Sequence, residues 1–285
     1  MIYDCFLFMN ELELLELRLH ELAGVVDKFV IAEATRTFSG KPKPLSYQEN
    51  KDAFKAFHDK IIHVVVEDPP GDLDHCEFPD YQRISIARGL AGCKPDDVVM
   101  LSDVDEIPRA NVVRETAKNL PFAKGALAST WHRLLIQPWF VWTFRNWFKK
   151  RHPYVTVFDQ RLHGFFLNCL WGDSPHWFGT RMIHFRDLSN FRDLRRWMGK
   201  LIPDSGWHFS YMGGVDRIQN KIGAYSHLEL NTPEFNNREK LEAALKEGRN
   251  FITPNRPLRV TPIDETYPAY VRENLSKFDH WLRKV

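Results

Sequence analysis

Asp96-Asp97-Val98-Val99-Met100-Leu101-Ser102-Asp103-Val104-Asp105-Glu106-Ile107-Pro108 is the stretch on which the fold turns. Val98 to Leu101 is a short apolar run bounded by polar residues, the pattern of a strand buried in a sheet. Working back, a helix is expected at about Tyr81 to Ala91, and an apolar run at Ile61 to Val66 ends at Pro69, Pro70 and Gly71. A short amphipathic helix around Lys51 to His58, a Gly/Pro/Lys loop (FSGKPKPL, 38–45) and a strand at Lys28 to Ala34 precede it. Nearest the start, Ile2 to Met9 reads as a strand. From Asn10, a plausible helix cap, Leu12, Leu15, Leu19 and Leu22 recur at helical spacing opposite Glu13, Glu16 and Arg18. Strands separated by helices predict an α/β fold with a doubly wound, mostly parallel sheet, whose ligands lie beyond the carboxyl ends of the strands.

Beyond Pro108 the pattern loosens. A helix near Asn111 to Asn119, strands at Gly125 to Ile136, Val155 to Phe158 and Phe165 to Trp171, and helices at Asn190 to Leu201, Asp216 to Tyr225, Asn236 to Glu247 and Tyr267 to Lys284 predict a smaller, mixed C-terminal extension. No repeat or linker divides the 285 residues, so one domain is expected.

Lys plus Arg (39) nearly cancel Asp plus Glu (37), so no global field recruits nucleic acid or an anionic membrane. Cys5, Cys76, Cys93 and Cys169 form no CxxC pair, which argues against a zinc knuckle or a disulfide framework and for a reducing, cytoplasmic setting. The N-terminus lacks a basic leader, and the longest uncharged apolar stretch, Leu134 to Phe144, contains Pro138 and is too short for a membrane span. Pro138 to Tyr154 joins Trp139, Trp142 and Trp147 to Arg145, Lys149, Lys150 and Arg151. That mixture suits stacking on sugar faces, peripheral contact with a membrane, a single-stranded nucleic acid grip that the balanced charge disfavours, or a structural flap.

The chemistry-bearing signal is Asp103-Val104-Asp105. Carboxylates at i and i+2 on an extended segment point to one side and can share a divalent cation, and hard oxygen ligands favour Mg²⁺ or Mn²⁺. The competing reading is an acidic cap on the helix after Pro108. Around this pair, Asn10 and Glu11 follow the first strand, Glu33 and Thr35 the second, and Gln82, Arg83 and Arg88 lie on the helix before the acidic strand. All are placed to contact a ligand bound beyond the strand ends, as are Lys41 and Lys43 on their loop, although Glu11, Arg88 and the lysines also read as ordinary solvated charges.

The run DVDEIP (103–108) resembles the DxD region of glycosyltransferase family 17, and so do DCFLFMNELELLELRLHEL (4–22), VVDKFVIAEATRTFSGKPKPL (25–45), GWHFSYM (206–212) and YPAYVRENLSKFDHWL (267–282). The resemblance implies a GT-A type transferase, inverting and metal-dependent, moving N-acetylglucosamine from UDP-N-acetylglucosamine onto a glycan by a β-linkage. It further implies a nucleotide-sugar-binding half at 1–108 and an acceptor-side half at 109–285. Mn²⁺ (or Mg²⁺) would sit on Asp105, with Asp103 on metal-bound water or the ribose, and His208 of the GWHF segment as a third ligand in competition with His227. Asp216, in the first turn of a helix after a Gly-Gly turn, is the candidate base, with Glu106, Asp173 and Glu229 as rivals. Trp207 is a candidate platform for the acceptor sugar, which could be carried by a lipid or a glycoprotein. A glycoside hydrolase or a non-catalytic sugar-binding module would share acids and aromatics, but neither needs a DxD ending a parallel strand.

Overall fold

The computed structural model describes residues 1–67, 73–75, 77–122, 151–172, 175–224, 228–251 and 257–284. The expectations at Gly125 to Ile136, at Asp173 and at His227, and most of the 138–154 segment, lie outside these residues.

The first half is built from β1 (Ile2–Phe8), α1 (Leu12–Leu22), β2 (Lys28–Ala34), α2 (Ser46–Asn50), β3 (Ile61–Val66), α3 (Glu77–Ser85) and β4 (Val98–Asp103). β3, β2, β1 and β4 lie side by side and parallel, with Leu7 of β1 opposite Asp103 of β4. Alternation sorts their side chains onto two faces: Tyr3, Cys5, Leu7, Val99 and Leu101 join one core, and Phe6, Phe8, Val98 and Met100 the other. Phe78, Ile86 and Leu90 cover the first face; Leu15, Leu19 and Leu22 of α1 cover the second. Burial on both faces is why β1, β2 and β4 read as continuous apolar runs rather than alternating ones; β3, at the end of the sheet, buries only Val64 and Val66.

The second half comprises β5 (Glu106–Pro108), α4 (Ala110–Lys118), β6 (Arg151–Gly164), β7 (Cys169–Trp171), β8 (His176–His184), α5 (Phe191–Arg196), β9 (Met198–Ile202), β10 (Gly206–Ser210), α6 (Gly214–Ala224), α7 (Arg238–Glu247), β11 (Leu258–Val260) and α8 (Ala269–Glu273). β8 adds antiparallel to β4, and the sheet runs β11-β7-β6-β8-β4-β1-β2-β3, with β9 and β10 pairing with β6 off this path and β5 pairing with β10. The expectation of a mostly parallel sheet therefore holds for four neighbouring strands, and the sheet as a whole is mixed. The helix expected at Asn190 to Leu201 stops at Trp197, where the backbone turns extended, and continues as β9. A Cβ on Gly199 would fall 1.8 Å from the Val155 carbonyl oxygen, so glycine lets β9 lie against β6.

His163 of β6 is buried beside Phe209 and Tyr267, and burial pushes its pKa down to about 3. The unfolded imidazole protonates near 6.5, so this contribution to stability is fully present above that value and is lost as pH falls toward 3. Between pH 7 and 5 the loss is about 2 kcal/mol. Urea unfolding of wild type and His163→Gln at both pH values is expected to show a smaller pH dependence in the variant by about that amount; equal dependence would show that His163 is protonated in the fold.

Candidate active site

The acidic segment lies where β4 ends, and its backbone is held by a residue from α1. Arg18, fully buried, forks onto the buried Asp4 carboxylate (Nη2 to Oδ1 2.6 Å, Nε to Oδ2 2.8 Å). Its Nη2 donates to Ser102 Oγ at 2.6 Å, and its Nη1 donates to the carbonyl oxygens of Asp103 and Glu106 at 3.1 and 2.8 Å. One guanidinium thus fixes the turn that aims Asp103 and Asp105, with its face 4.4 Å from the Phe6 ring centre. The sequence reading put Arg18 on the solvent side of α1. Its spacing, three after Leu15 and four before Leu22, instead places it on the buried stripe, and the lone acid Asp4 inside an apolar strand was the signal for a buried partner.

Asp105 is buried, and its Oδ2 accepts from Lys221 Nζ of α6 at 2.7 Å, with His208 Nε2 at 3.5 Å. Burial alone would raise its pKa, but Lys221 and His208 outweigh burial and hold the carboxyl well below the usual range. Asp103 keeps 29% of its side-chain surface exposed, with Oδ2 3.0 Å from Arg195 Nη2 and Oδ1 3.4 Å from Arg83 Nη2. Glu106 is fully buried and bidentate with Arg195 (2.7 Å to each oxygen), and it accepts from Trp177 Nε1 at 2.6 Å and from the Asp103 N–H at 2.9 Å. Its pKa too is pushed up by burial and pulled further down by Arg195. Gly179 makes room for this arrangement, since a Cβ there would lie 2.7 Å from Glu106 Cδ.

These groups face a cavity of about 790 Å³ whose wall includes Phe8, Glu11, Arg36, Lys43, Asp80, Arg83, Trp171, Trp177, Arg195, Tyr211, Lys221 and Glu229. Arg36 stacks over Phe78 at 5.3 Å and pairs with no carboxylate among the described residues, so it is a cation turned toward any anion in the cavity. Tyr211 reaches the wall through a left-handed backbone (φ 58°) in the reversal between β10 and α6.

Several expected site residues stand elsewhere. The acidic-cap reading fails because α4 begins only at Ala110, behind Arg109, while Glu106 belongs to β5. The Asn10 side chain does not cap α1. Glu11 folds back instead, accepting the N–H groups of Met9 and Asn10 at 3.2 and 3.1 Å. Glu33 is fully buried between Lys43, His63 and the Tyr47 N–H and does not reach the cavity. Thr35 donates its hydroxyl hydrogen to the Glu67 carbonyl, and Gln82, although on the wall, is tied to the Ala32 carbonyl. Arg88 binds the Val65 carbonyl and the Tyr81 hydroxyl, away from the wall, and Lys41 is not on it either. Trp207 is buried under Arg109 with its Nε1 on the Thr266 carbonyl, so it offers no sugar platform; among the described residues Trp171 and Trp177 are the tryptophans on the wall. Asp216 is 77% exposed and pairs with Arg238 at 2.5 Å, outside the cavity. Residues 216 and 221 are five apart, about 140° around a helix, so with Lys221 turned inward Asp216 turns outward.

Asp103 and Asp105 suit a hard cation that takes its other ligands from phosphate and water. Asp105 Oδ1 accepts no hydrogen bond among the described residues, and Asp103 is open to the cavity. His208 backs Asp105 rather than completing a preformed cage: among the described residues no group of three or more His, Cys, Asp or Glu is arranged around a metal position.

The sequence model of glycosyltransferase family 17 matches residues 1–120. The chain is similar to the β-1,4-mannosyl-glycoprotein 4-β-N-acetylglucosaminyltransferases of Homo sapiens and Rattus norvegicus, each 36% identical over 107 residues, and of Mus musculus, 35% identical over the same length. The matched segment covers 35% of this chain and 20% of each relative, so the likeness spans about a fifth of the relatives' length.

Proposed function

We propose that this chain is an inverting, metal-dependent glycosyltransferase of the GT-A type, in one domain, moving N-acetylglucosamine from UDP-N-acetylglucosamine onto a glycan hydroxyl. The observation that carries the reading is a carboxylate pair ending a parallel strand on the wall of a cavity of about 790 Å³, with Arg36, Arg83, Arg195 and Lys221 on the same wall. Nucleotide sites of such sheets lie at strand ends, and the names of the matched relatives supply the sugar. Mn²⁺ or Mg²⁺, held by Asp105 and Asp103, would supply Lewis-acid neutralisation of the diphosphate.

The protein's own groups do the rest. Arg36 and Arg83 bind the donor's phosphate oxygens, and Arg195 keeps Asp103 and Glu106 in register. Trp171, Trp177 and Tyr211 give the acceptor sugar apolar faces, and the Trp177 ring is oriented by its bond to Glu106. The proton of the attacking hydroxyl goes to Glu229, a solvent-exposed carboxylate on the cavity wall that can pass it on to water. Asp105 and Glu106 are weaker bases than an ordinary carboxylate, because the cations beside them hold both below the usual range. We place the reaction in the cytoplasm, on a lipid-linked or protein-bound glycan, with peripheral membrane contact through 138–154; Cys5, Cys93 and Cys169 are free thiols, as that setting allows.

UDP release from UDP-N-acetylglucosamine and Mn²⁺, measured over a panel of glycan acceptors, tests the activity. Acceptor-dependent release is expected, and its absence with every acceptor would refute the transfer. Glu229→Gln is expected to lower kcat by about 10²- to 10⁴-fold while UDP binding by calorimetry stays unchanged. An unaltered kcat would remove Glu229 from the role of base.

A further inference from the structure

Lys221 stands on the carboxylate that the cation needs. Its ammonium is 2.7 Å from Asp105 Oδ2 and 5.4 Å from the Tyr211 ring centre, and its side chain, 19% exposed, borders both the main cavity and a neighbouring one of about 260 Å³. The carboxylates of Asp103, Asp105 and Glu106 already face the cations of Arg83, Arg195 and Lys221, and Asp80, beside Arg83, is shared with Arg192 and Arg196. A divalent cation arriving alone adds two positive charges beside three fixed ones, and a diphosphate arriving alone adds negative charge beside three carboxylates. Arriving together, they cancel. A lysine is a point charge on a flexible stem, so its ammonium can leave one anion for another without rebuilding α6, which Arg195, locked in its fork on Glu106, cannot do.

We propose that Lys221 competes with the divalent cation for Asp105 and gives way when a diphosphate offers its ammonium another anion, so that metal and nucleotide load the site as a pair. The inference rests on the metal and nucleotide reading above and specifies its order: Lys221 penalises the cation alone and rewards the cation with nucleotide. Because coupling between two ligands is reciprocal, Mn²⁺ must tighten UDP by the same factor by which UDP tightens Mn²⁺.

The test is Mn²⁺ binding to the full chain, followed by the electron paramagnetic resonance of free Mn²⁺, with and without UDP. Wild type is expected to bind Mn²⁺ at least about tenfold more tightly when UDP is present. Lys221→Met is expected to bind Mn²⁺ alone at least about tenfold more tightly than wild type does, with little further gain from UDP. Lys221→Gln, neutral but able to hydrogen-bond Asp105, gives the same comparison should Lys221→Met fail to fold by circular dichroism. Neutral variants whose affinity for Mn²⁺ alone equals or falls below that of wild type, with the UDP effect intact, would overturn the competition while leaving the metal site standing. Absence of Mn²⁺ binding in wild type even with UDP would remove the metal reading and this inference together.

Discussion

Arg18→Met is expected to cost about 3–5 kcal/mol of stability and to abolish the proposed transfer, although Arg18 does not line the cavity. The stability loss follows from Asp4, whose fully buried carboxylate would be left without its fork, and against a typical total of about 5–15 kcal/mol it is a large fraction. The activity loss has a separate origin. Arg18 also donates to the carbonyl oxygens of Asp103 and Glu106 and to Ser102 Oγ, and those bonds set the direction in which Asp103 and Asp105 leave the strand. The double variant Asp4→Leu with Arg18→Met separates the two effects, because replacing a buried ion pair by apolar side chains is often neutral. Chemical denaturation should show most of the stability restored, while UDP release stays depressed because the turn has lost its donor. A double variant as active as wild type would mean that the turn holds its shape without Arg18.

The contrast between Arg18 and Asp103 marks how far the sequence could be read. Three of the four parallel strands, β1, β2 and β4, were legible because each is buried on both faces and so is spelled as an apolar run, while β3, at the end of the sheet, is apolar in sequence although only its Val64 and Val66 are buried. β8 was not: HWFGTRMIH places Arg181 and Thr180 inside the sheet, where Arg181 donates to the carbonyls of Phe178 and Gly179, and buried polar groups with distant or backbone partners leave no periodic signal. Asp103 and Asp105 were legible because their relation is local, two residues apart on a strand end. What surrounds them was not, because Lys221 reaches Asp105 across 116 positions and Arg195 reaches Glu106 across 89. Asp216 shows the opposite error. The segment was read correctly as a helix after a Gly-Gly turn, but the choice of face was set by Lys221, which turns in to Asp105 across 116 positions and so leaves Asp216 outward, where it meets Arg238.

Glu106→Gln should be as damaging as the loss of Arg18, and for a reason peculiar to its neighbours. Every group on the Glu106 carboxylate among the described residues is a donor: both terminal nitrogens of Arg195, the Trp177 indole N–H and the Asp103 backbone N–H. An amide has one acceptor oxygen, so whichever way the introduced side chain turned, its NH₂ would point at a donor and the half-buried Arg195 guanidinium could lose half its fork. Truncating one partner of a buried pair costs about 3–5 kcal/mol, and part of that loss could be relieved by Arg195 swinging away. Such relief would harm function, because Arg195 also braces Asp103 at 3.0 Å and Trp177 would lose the acceptor that orients its ring. The expected result is a variant with a lowered denaturation midpoint, weakened Mn²⁺ and UDP binding, and transfer reduced by more than about tenfold at saturating donor. A true base at this position would behave differently: UDP and Mn²⁺ would bind as in wild type and only kcat would fall. Calorimetric UDP affinity in the presence of Mn²⁺ therefore decides between a brace and a base, and an unchanged affinity with a collapsed kcat would return Glu106 to the catalytic role that its bonds to Arg195 and Trp177 argue against.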